Sequence, residues 1–510
     1  MFWSFNQLFL ERYFIGEGDF IKRFFLLMII CLTIFAGCNY SEETHSEYDE
    51  SNITEKKGTL TNNYDVSLKV QPDSNLIVGN EKVRFKNCGG KDAESLYFNL
   101  YLNSLDEENS QDDLLCFQEY ASNVYKYGKD YGGINVLKVI SDNNDLEFTV
   151  DKTVLCVKLK EPLKAGAEIN LTINFEAKIP KICYKIGGNE RETWVGSFLP
   201  TISGVLTDGS RNNKGFIRGL SFYDGFSNYS VNVSVPTGYN VIGSGIANVI
   251  ENNNERIFSF NGNVIRDFAF VFGKDLKNKS LILDNGINLN FYYYSDEIDP
   301  EPIIQRAKEC VEFITQKLGS YPYNEINFVE TELYNDMCVN YPQVIFMDTN
   351  YIKDGEFQED FCYTIAQQWI YNVIGADKVY EAWLCDGLAC YLKDLMNNGD
   401  DFDSFISNRV DDFSKNLESL EIKKMNTPIQ EFKTEKNYRY IENFKAEMMF
   451  YSLYKKIGND DFQTFLKNLY SNYLFQGINK HKVIDAAKEY YSDSEQFFKE
   501  WTEGESLPEI

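Results

Sequence analysis

Near residue 300 the hydrophobic period of this chain changes, and few folds accommodate such a change. Before it, apolar residues alternate at period two, as in Tyr64-Asp-Val-Ser-Leu-Lys-Val-Gln, Leu155-Cys-Val-Lys-Leu and Ile169-Asn-Leu-Thr-Ile-Asn-Phe. Turn signals such as Pro72-Asp-Ser-Asn and Cys88-Gly-Gly separate these runs. Many short strands with no helical stretch between them imply sheet packed on sheet. After the change, Glu301 to Gly319 has helical spacing, with Ile304, Ala307, Val311 and Ile314 on one face, Pro302 near its start and Gly319 at its end. A strand-like piece, Ile326-Asn-Phe-Val-Glu, follows Tyr321-Pro-Tyr, then come helical stretches over about 357–375 and 379–397. From about 402 onward the pattern is helical throughout. The expected fold is therefore multidomain, β then α: a β-sandwich or saddle over 59–275, a mixed α/β domain over 276–400 and a helical part over 401–510.

Bulk properties narrow the function. Of the 510 residues 43% are hydrophobic, enough to bury a large core, which excludes wholesale disorder. The net charge of −27 is spread along the chain. Such a surface stays solvated and, with its Lys and Arg outnumbered by acids, is unfavourable for phosphate contacts, so a nucleic-acid partner is not expected. Only two histidines exist, His45 and His481, which leaves little imidazole for metal binding or acid–base work.

The first residues read as an address. Lys22-Arg23 precede an apolar run from Phe24 to Gly37, followed by Cys38. A membrane span needs about 20 apolar residues, and this run is shorter. A basic flank, a short apolar stretch and small residues before a cleavage point describe a secretory signal. Phe35-Ala36-Gly37-Cys38 resembles the lipobox of bacterial lipoproteins, with Phe35 in place of the usual Leu. The resemblance implies a signal over 1–37, acylation of Cys38 and attachment to the extracytoplasmic face of the cell membrane. Residues 38–58 are polar, acidic and nearly free of aliphatics, and read as a flexible tether. Removing Cys31 with the signal and Cys38 to the lipid leaves nine of the 11 cysteines. An odd number without tight spacing is not a disulfide framework, and buried thiols are expected.

Beyond the tether, the layout resembles the aminopeptidase N family, peptidases built on a His-Glu-x-x-His zinc helix. The β half contributes Ser95-Leu-Tyr-Phe-Asn-Leu-Tyr-Leu-Asn103, Asn228-Tyr-Ser-Val-Asn-Val-Ser-Val-Pro-Thr-Gly238 and Arg266-Asp-Phe-Ala-Phe-Val. The mixed region contributes more. In the family, two His one helical turn apart face one metal, the helix Glu activates the metal-bound water, and a Glu eighteen residues beyond the second His is the third ligand. Here the helix reads Tyr363-Thr-Ile-Ala-Gln367-Gln-Trp-Ile-Tyr-Asn, and eighteen residues separate Gln367 from Asp386 in Ala382-Trp-Leu-Cys-Asp-Gly-Leu-Ala-Cys-Tyr391. The resemblance implies a thermolysin-like domain at 276–400.

The spacing matches the family, but the chemistry does not. Tyr363 stands at the first ligand position, Thr364 at the general base, Gln367 at the second ligand and Asp386 at the third. Tyr and Gln are poor zinc ligands beside imidazole, and Thr takes no proton from water near neutral pH. The loop whose Glu grips the substrate amine in the family reads Met337-Cys-Val-Asn340-Tyr-Pro-Gln here, so Asn340 holds that position. Asn443 holds the position of the oxyanion-stabilising Tyr, and Tyr438 and Tyr440 lie nearby at other offsets.

The resulting expectation is a zinc-free pseudopeptidase whose cleft binds a peptide or a protein, with no catalytic or metal residue intact. Two alternatives stand beside it: an active zinc aminopeptidase with unorthodox ligands, and a structural surface protein. A new thiolate site from Cys338, Cys362, Cys385, Cys390 and Asp386, or a hydrolytic site using Glu356, Glu359 or Asp360, would be further departures from the family.

Overall fold

The structure is a computed structural model that describes residues 62–111, 115–203, 216, 225–335 and 337–508. All belong to one unit, Glu50–Ile510. The signal and tether expected over 1–58, Cys38 included, lie outside the described residues.

The period-two segments form strands whose apolar face is buried. Tyr64, Val66, Leu68 and Val70 alternate with exposed residues along Asn63–Gln71. That strand lies between Ser227–Pro236, to which it is parallel, and Leu76–Lys86, to which it is antiparallel. Further strands on each side complete an eight-stranded sheet. Two four-stranded sheets accompany it, one centred on Ala93–Asn99 and Val154–Leu163, the other on Glu192–Val195 and Phe270–Gly273. Tyr64 Oη ties the large sheet to the first of these by accepting from Ile202 N at 3.0 Å.

A five-stranded sheet opens the second half, in the order Lys277–Ile282, Asn288–Tyr293, Glu325–Thr331, Val344–Asp348, Cys338–Tyr341. Its middle three strands are parallel, and the last pairs antiparallel at the edge. The Pro300–Leu318 helix supplies the crossover. Asp299 caps its start by accepting from Glu301 N, and Gly319 ends it at φ 131°. Trp194 and Val271 from the β half share one apolar cluster with Val329, Tyr341, Val344 and Phe346 from this sheet. The β part and the mixed part thus share a core.

Helices make up most of the remainder: Phe357–Trp369, Ala382–Asn398, Phe402–Asn416, Ala446–Ile457, Asn459–Tyr473, Lys480–Lys488 and Ser494–Glu503. None of the described helices is long and apolar enough to cross a membrane. The β, mixed and helical succession follows the sequence pattern, with three local differences. The Ser95–Asn103 segment, which resembles a strand of the family, is extended only as far as Asn99, and Tyr101–Leu105 is a buried 3-10 turn. The helix expected to reach residue 375 widens after Trp369 into a π-type turn, Ile370–Ile374. The chain from Leu420 to Thr434 is largely irregular rather than helical. Pro428 lacks the N–H a helix interior needs, and Met425 N and Ile429 N donate to Thr502 O and Val379 O instead.

Candidate functional site

The Phe357–Trp369 helix forms because Phe357, Phe361, Ile365 and Trp369 fall four residues apart and are all buried. Glu359 and Asp360 in its first turn complement the helix dipole. Gln368 fastens this helix to the edge of the five-stranded sheet. Its Nε2 donates to Asn340 Oδ1 at 3.2 Å and Tyr341 O at 3.0 Å, and its Oε1 accepts from Tyr321 Oη at 2.9 Å and Gln343 N at 3.1 Å. Trp369 Nε1 donates to Gly319 O at 2.8 Å. The Ala382–Asn398 helix packs beside it and closely against a third element. A Cβ on Gly387 would lie 2.2 Å from Ala446 Cβ, so glycine is what admits the approach.

These contacts bring together most of the residues singled out in the sequence. Asn340, Tyr363, Gln367 and Asp386 line one cavity of about 220 Å³. Asn443 Nδ2 donates to Tyr363 Oη at 3.4 Å. Thr364 does not line the cavity; it is buried, with its hydroxyl beside the Cys338 thiol. His481 lies exposed on the Lys480–Lys488 helix, away from the cavity lining.

Asp386, 3% exposed, is at the centre of the arrangement. Its Oδ1 accepts from Gln367 Nε2 at 3.0 Å and lies 2.9 Å from Lys378 Nζ. Its Oδ2 accepts from Tyr438 Oη at 2.7 Å. The Lys378 ammonium also stands 4.5 Å from the centre of the Tyr371 ring. Arg266 reaches across from the β half to the other end of that segment, donating to Tyr371 O at 3.2 Å. A second lysine, Lys185, enters the lining from the β half. Burial, then the Lys378 charge, lowers its pKa to about 8. Burial, then the charge of Asp386, pushes the Tyr363 and Tyr438 phenols well above their ordinary range, so both stay protonated.

This donor set does not fit zinc. It offers a protonated phenol, a carboxamide and one carboxylate whose oxygens already receive an amide, a phenol and an ammonium. Zinc sites take thiolate, imidazole or available carboxylate donors. The cysteines do not assemble a replacement. Cys362 meets Cys310, Cys385 is 3.9 Å from Ile370 O, and Cys390 is 3.6 Å from Asp394 rather than beside Asp386. Among the described residues Cys390, Asp394 and Glu447 do form one group with metal-ligand spacing, but Arg409 and Lys393 sit in it, at 2.9 and 2.8 Å from Asp394. Asp360 faces Lys393 at 3.5 Å, and Glu359 borders a different cavity.

Sequence reading missed Lys378 and Lys185. Lys378 lies in a short connection eight positions before Asp386, outside any motif, and Lys185 comes from a separate part of the chain; no spacing marks either. Tyr438 was visible as a nearby tyrosine, and only the fold reveals that it reaches Asp386 while Tyr440 donates to Asp412.

No protein-family model matches the sequence, and no curated protein does. Solved structures do match. An M1 zinc metallopeptidase from Deinococcus radiodurans superposes with a TM-score of 0.64 at 14% identity, covering 88% of this chain and 96% of that one. A mutant of that enzyme matches with a TM-score of 0.65, and the mutant bound to a Tyr-Ser-Ala substrate with 0.63, at the same identity and coverage. The chain therefore has the fold of the M1 zinc metallopeptidases, aminopeptidase-like in its succession of β-rich, mixed and helical parts.

Proposed function

We propose that this chain is a lipid-anchored extracytoplasmic protein that uses an aminopeptidase-like fold to bind peptide or protein in its cleft without zinc and without hydrolysis. One observation carries the reading: the ammonium of Lys378 lies on the carboxylate that stands at the third ligand position. A lysine bound there meets the charge requirement that a metal would otherwise meet. The neighbouring replacements point the same way, since Tyr363, Thr364 and Gln367 offer neither an imidazole pair nor a general base.

Retention of the cleft supports binding. The helices, the edge strand and the cavity between them remain, with aromatic side chains on several sides. Such lining suits a peptide ligand. The anchoring part of the proposal rests on the sequence around Cys38.

Metal analysis tests the reading directly. The soluble fragment beginning near residue 57 should hold less than one equivalent of zinc and release no chromogenic amine from aminoacyl substrates. One equivalent of tightly held zinc, with turnover abolished by a chelator, would establish an active metallopeptidase instead.

A further inference from the structure

Outside the cleft, four helices bring five aromatic rings into a closed circle. Tyr391 comes from Ala382–Asn398, Phe402 from the start of Phe402–Asn416, Tyr451 and Tyr454 from Ala446–Ile457, and Phe462 from Asn459–Tyr473. Tyr391 meets Phe402 at 5.3 Å between ring centres and Phe462 at 5.4 Å, and Phe462 meets Tyr454 at 5.8 Å. Tyr451 closes the circle, 5.9 Å from Tyr454 and 5.7 Å from Phe402.

Such a cluster ordinarily fills a core, but this one borders a cavity of about 270 Å³, with Tyr391, Phe402, Tyr454 and Phe462 in its wall. The cavity shares no lining residue with the cleft. Asp400 and Asp403 stand in the same wall. Asp400 is exposed and holds no hydrogen bond or ion pair among the described residues. Asp403 Oδ1 accepts from Tyr451 Oη at 2.8 Å, and its Oδ2 lies 3.0 Å from Lys455 Nζ.

The face of an aromatic ring is electron-rich and attracts a cation, most strongly one that has shed its water. The circle already holds one cation in this way. The Lys455 ammonium stands 5.6 Å from the centre of the Tyr451 ring and 6.0 Å from that of Tyr454, and Lys455 does not itself line the cavity. The opposing charge in the described wall is Lys317, whose ammonium lies over the Phe313 ring at 5.5 Å. Burial, then the charge of Lys467, lowers its pKa, so that ammonium is already disfavoured. A quaternary ammonium suits the space better than a metal ion or a primary amine. It has no N–H in need of an acceptor and is weakly hydrated, so ring faces and a carboxylate at the mouth suffice. The volume lies just below the roughly 300–1,000 Å³ of sites for drug-sized ligands, which fits a small molecule.

We propose that this cavity binds a small organic cation of the quaternary-ammonium class, its methyl groups against Tyr391, Phe402, Tyr454 and Phe462 and its charge offset by Asp400. Calorimetry on the full chain in a non-ionic detergent compares choline with neohexyl alcohol, the uncharged molecule that has carbon in place of the nitrogen. Choline should bind with a Kd of about 1 mM or below, and the alcohol about tenfold or more weakly. Tyr454→Leu removes a ring and keeps an apolar side chain, so it should weaken choline about fivefold and leave the alcohol unchanged. Asp400→Asn, at an exposed position, should weaken choline about twofold or more, and it keeps the test sound if Tyr454→Leu fails to fold. Glycerophosphocholine should bind more weakly than choline, because its phosphate meets Asp400; equal affinity would make an esterified headgroup the ligand rather than the free cation. Equal affinity for choline and the alcohol would reduce the cavity to an apolar hole, and choline affinity unmoved by both substitutions would place its site elsewhere. Either result, or no binding of choline, overturns the proposal.

Discussion

Lys378 Nζ lies 2.9 Å from Asp386 Oδ1, with both side chains largely withdrawn from solvent. The pair ties the connection between the two site helices to the second of them. Removing only the cation strands a buried carboxylate. Lys378→Met should therefore cost about 3 kcal/mol in denaturant unfolding, toward the low end of what breaking a buried pair costs because Gln367 and Tyr438 still donate to Asp386. Lys378→Met with Asp386→Leu should recover much of that loss. A double mutant no more stable than the single one would mean that the pair is not coupled.

The same pair sets the terms for rebuilding a metal site. Tyr363→His, Thr364→Glu, Gln367→His and Asp386→Glu together restore the family's residues on a scaffold that brings 363, 367 and 386 to one cavity. With Lys378 in place the carboxylate stays engaged, so zinc should bind weakly. Adding Lys378→Ala should tighten it, as read by competition with a chromogenic chelator. Activity should lag behind binding, because loss of one oxyanion donor alone typically costs ~100- to 1,000-fold in rate. Adding Asn340→Glu and Asn443→Tyr should then raise turnover of aminoacyl substrates. Equal zinc affinity with and without Lys378 would show that the lysine does not compete.

Away from the cleft, Glu81 is fully buried in the large sheet, opposite Val66 on one side and Ile173 on the other. Burial raises its pKa well above the ordinary 4.5. As pH rises past that ordinary value the unfolded chain gives up this proton and the folded chain keeps it. Stability therefore falls with pH until the folded value is passed, by up to about 1.4 kcal/mol per pH unit. Glu81→Gln lacks the ionisation, so its melting temperature should decline less than the wild type's between about pH 5 and pH 8. Parallel declines would place the cause elsewhere.

Anchoring is tested at Cys38. If the sequence there is acylated, Cys38→Ala should leave the protein in the aqueous phase after detergent partitioning, because stable attachment needs more than a single lipid chain and every chain depends on this residue. A variant that still partitions with lipid after its signal is processed would refute the lipobox.

Much of the fold was legible because periodicity reports burial. The alternation at Tyr64–Gln71 and the helical face of Ile304, Ala307, Val311 and Ile314 became a strand and a helix with those residues inside. The Leu420–Thr434 stretch was misread because its backbone groups are satisfied by distant partners, Thr502 and Val379, which local pattern cannot reveal. In the site, eighteen residues separate Gln367 from Asp386 in the sequence, and their side chains meet at 3.0 Å. What that interval could not disclose was the lysine between them, since a loop residue's reach depends on where the fold turns it.

The Gln368, Trp369 and Gly387 positions carry a consequence for how such chains are recognised. Gln368 fastens the first helix to the sheet edge, Trp369 fastens it to Gly319, and Gly387 lets the second helix approach Ala446. These are among the residues that give the sequence its resemblance to a peptidase, and each serves to hold helices together. Tyr363, Thr364 and Gln367 precede Gln368 and Trp369 on the same helix and are free to differ while the interval stays the same. A search tuned to the interval and its flanking text is thus a detector of helix packing, and it returns the same answer whether the cation in the cleft is a metal ion or the end of a lysine.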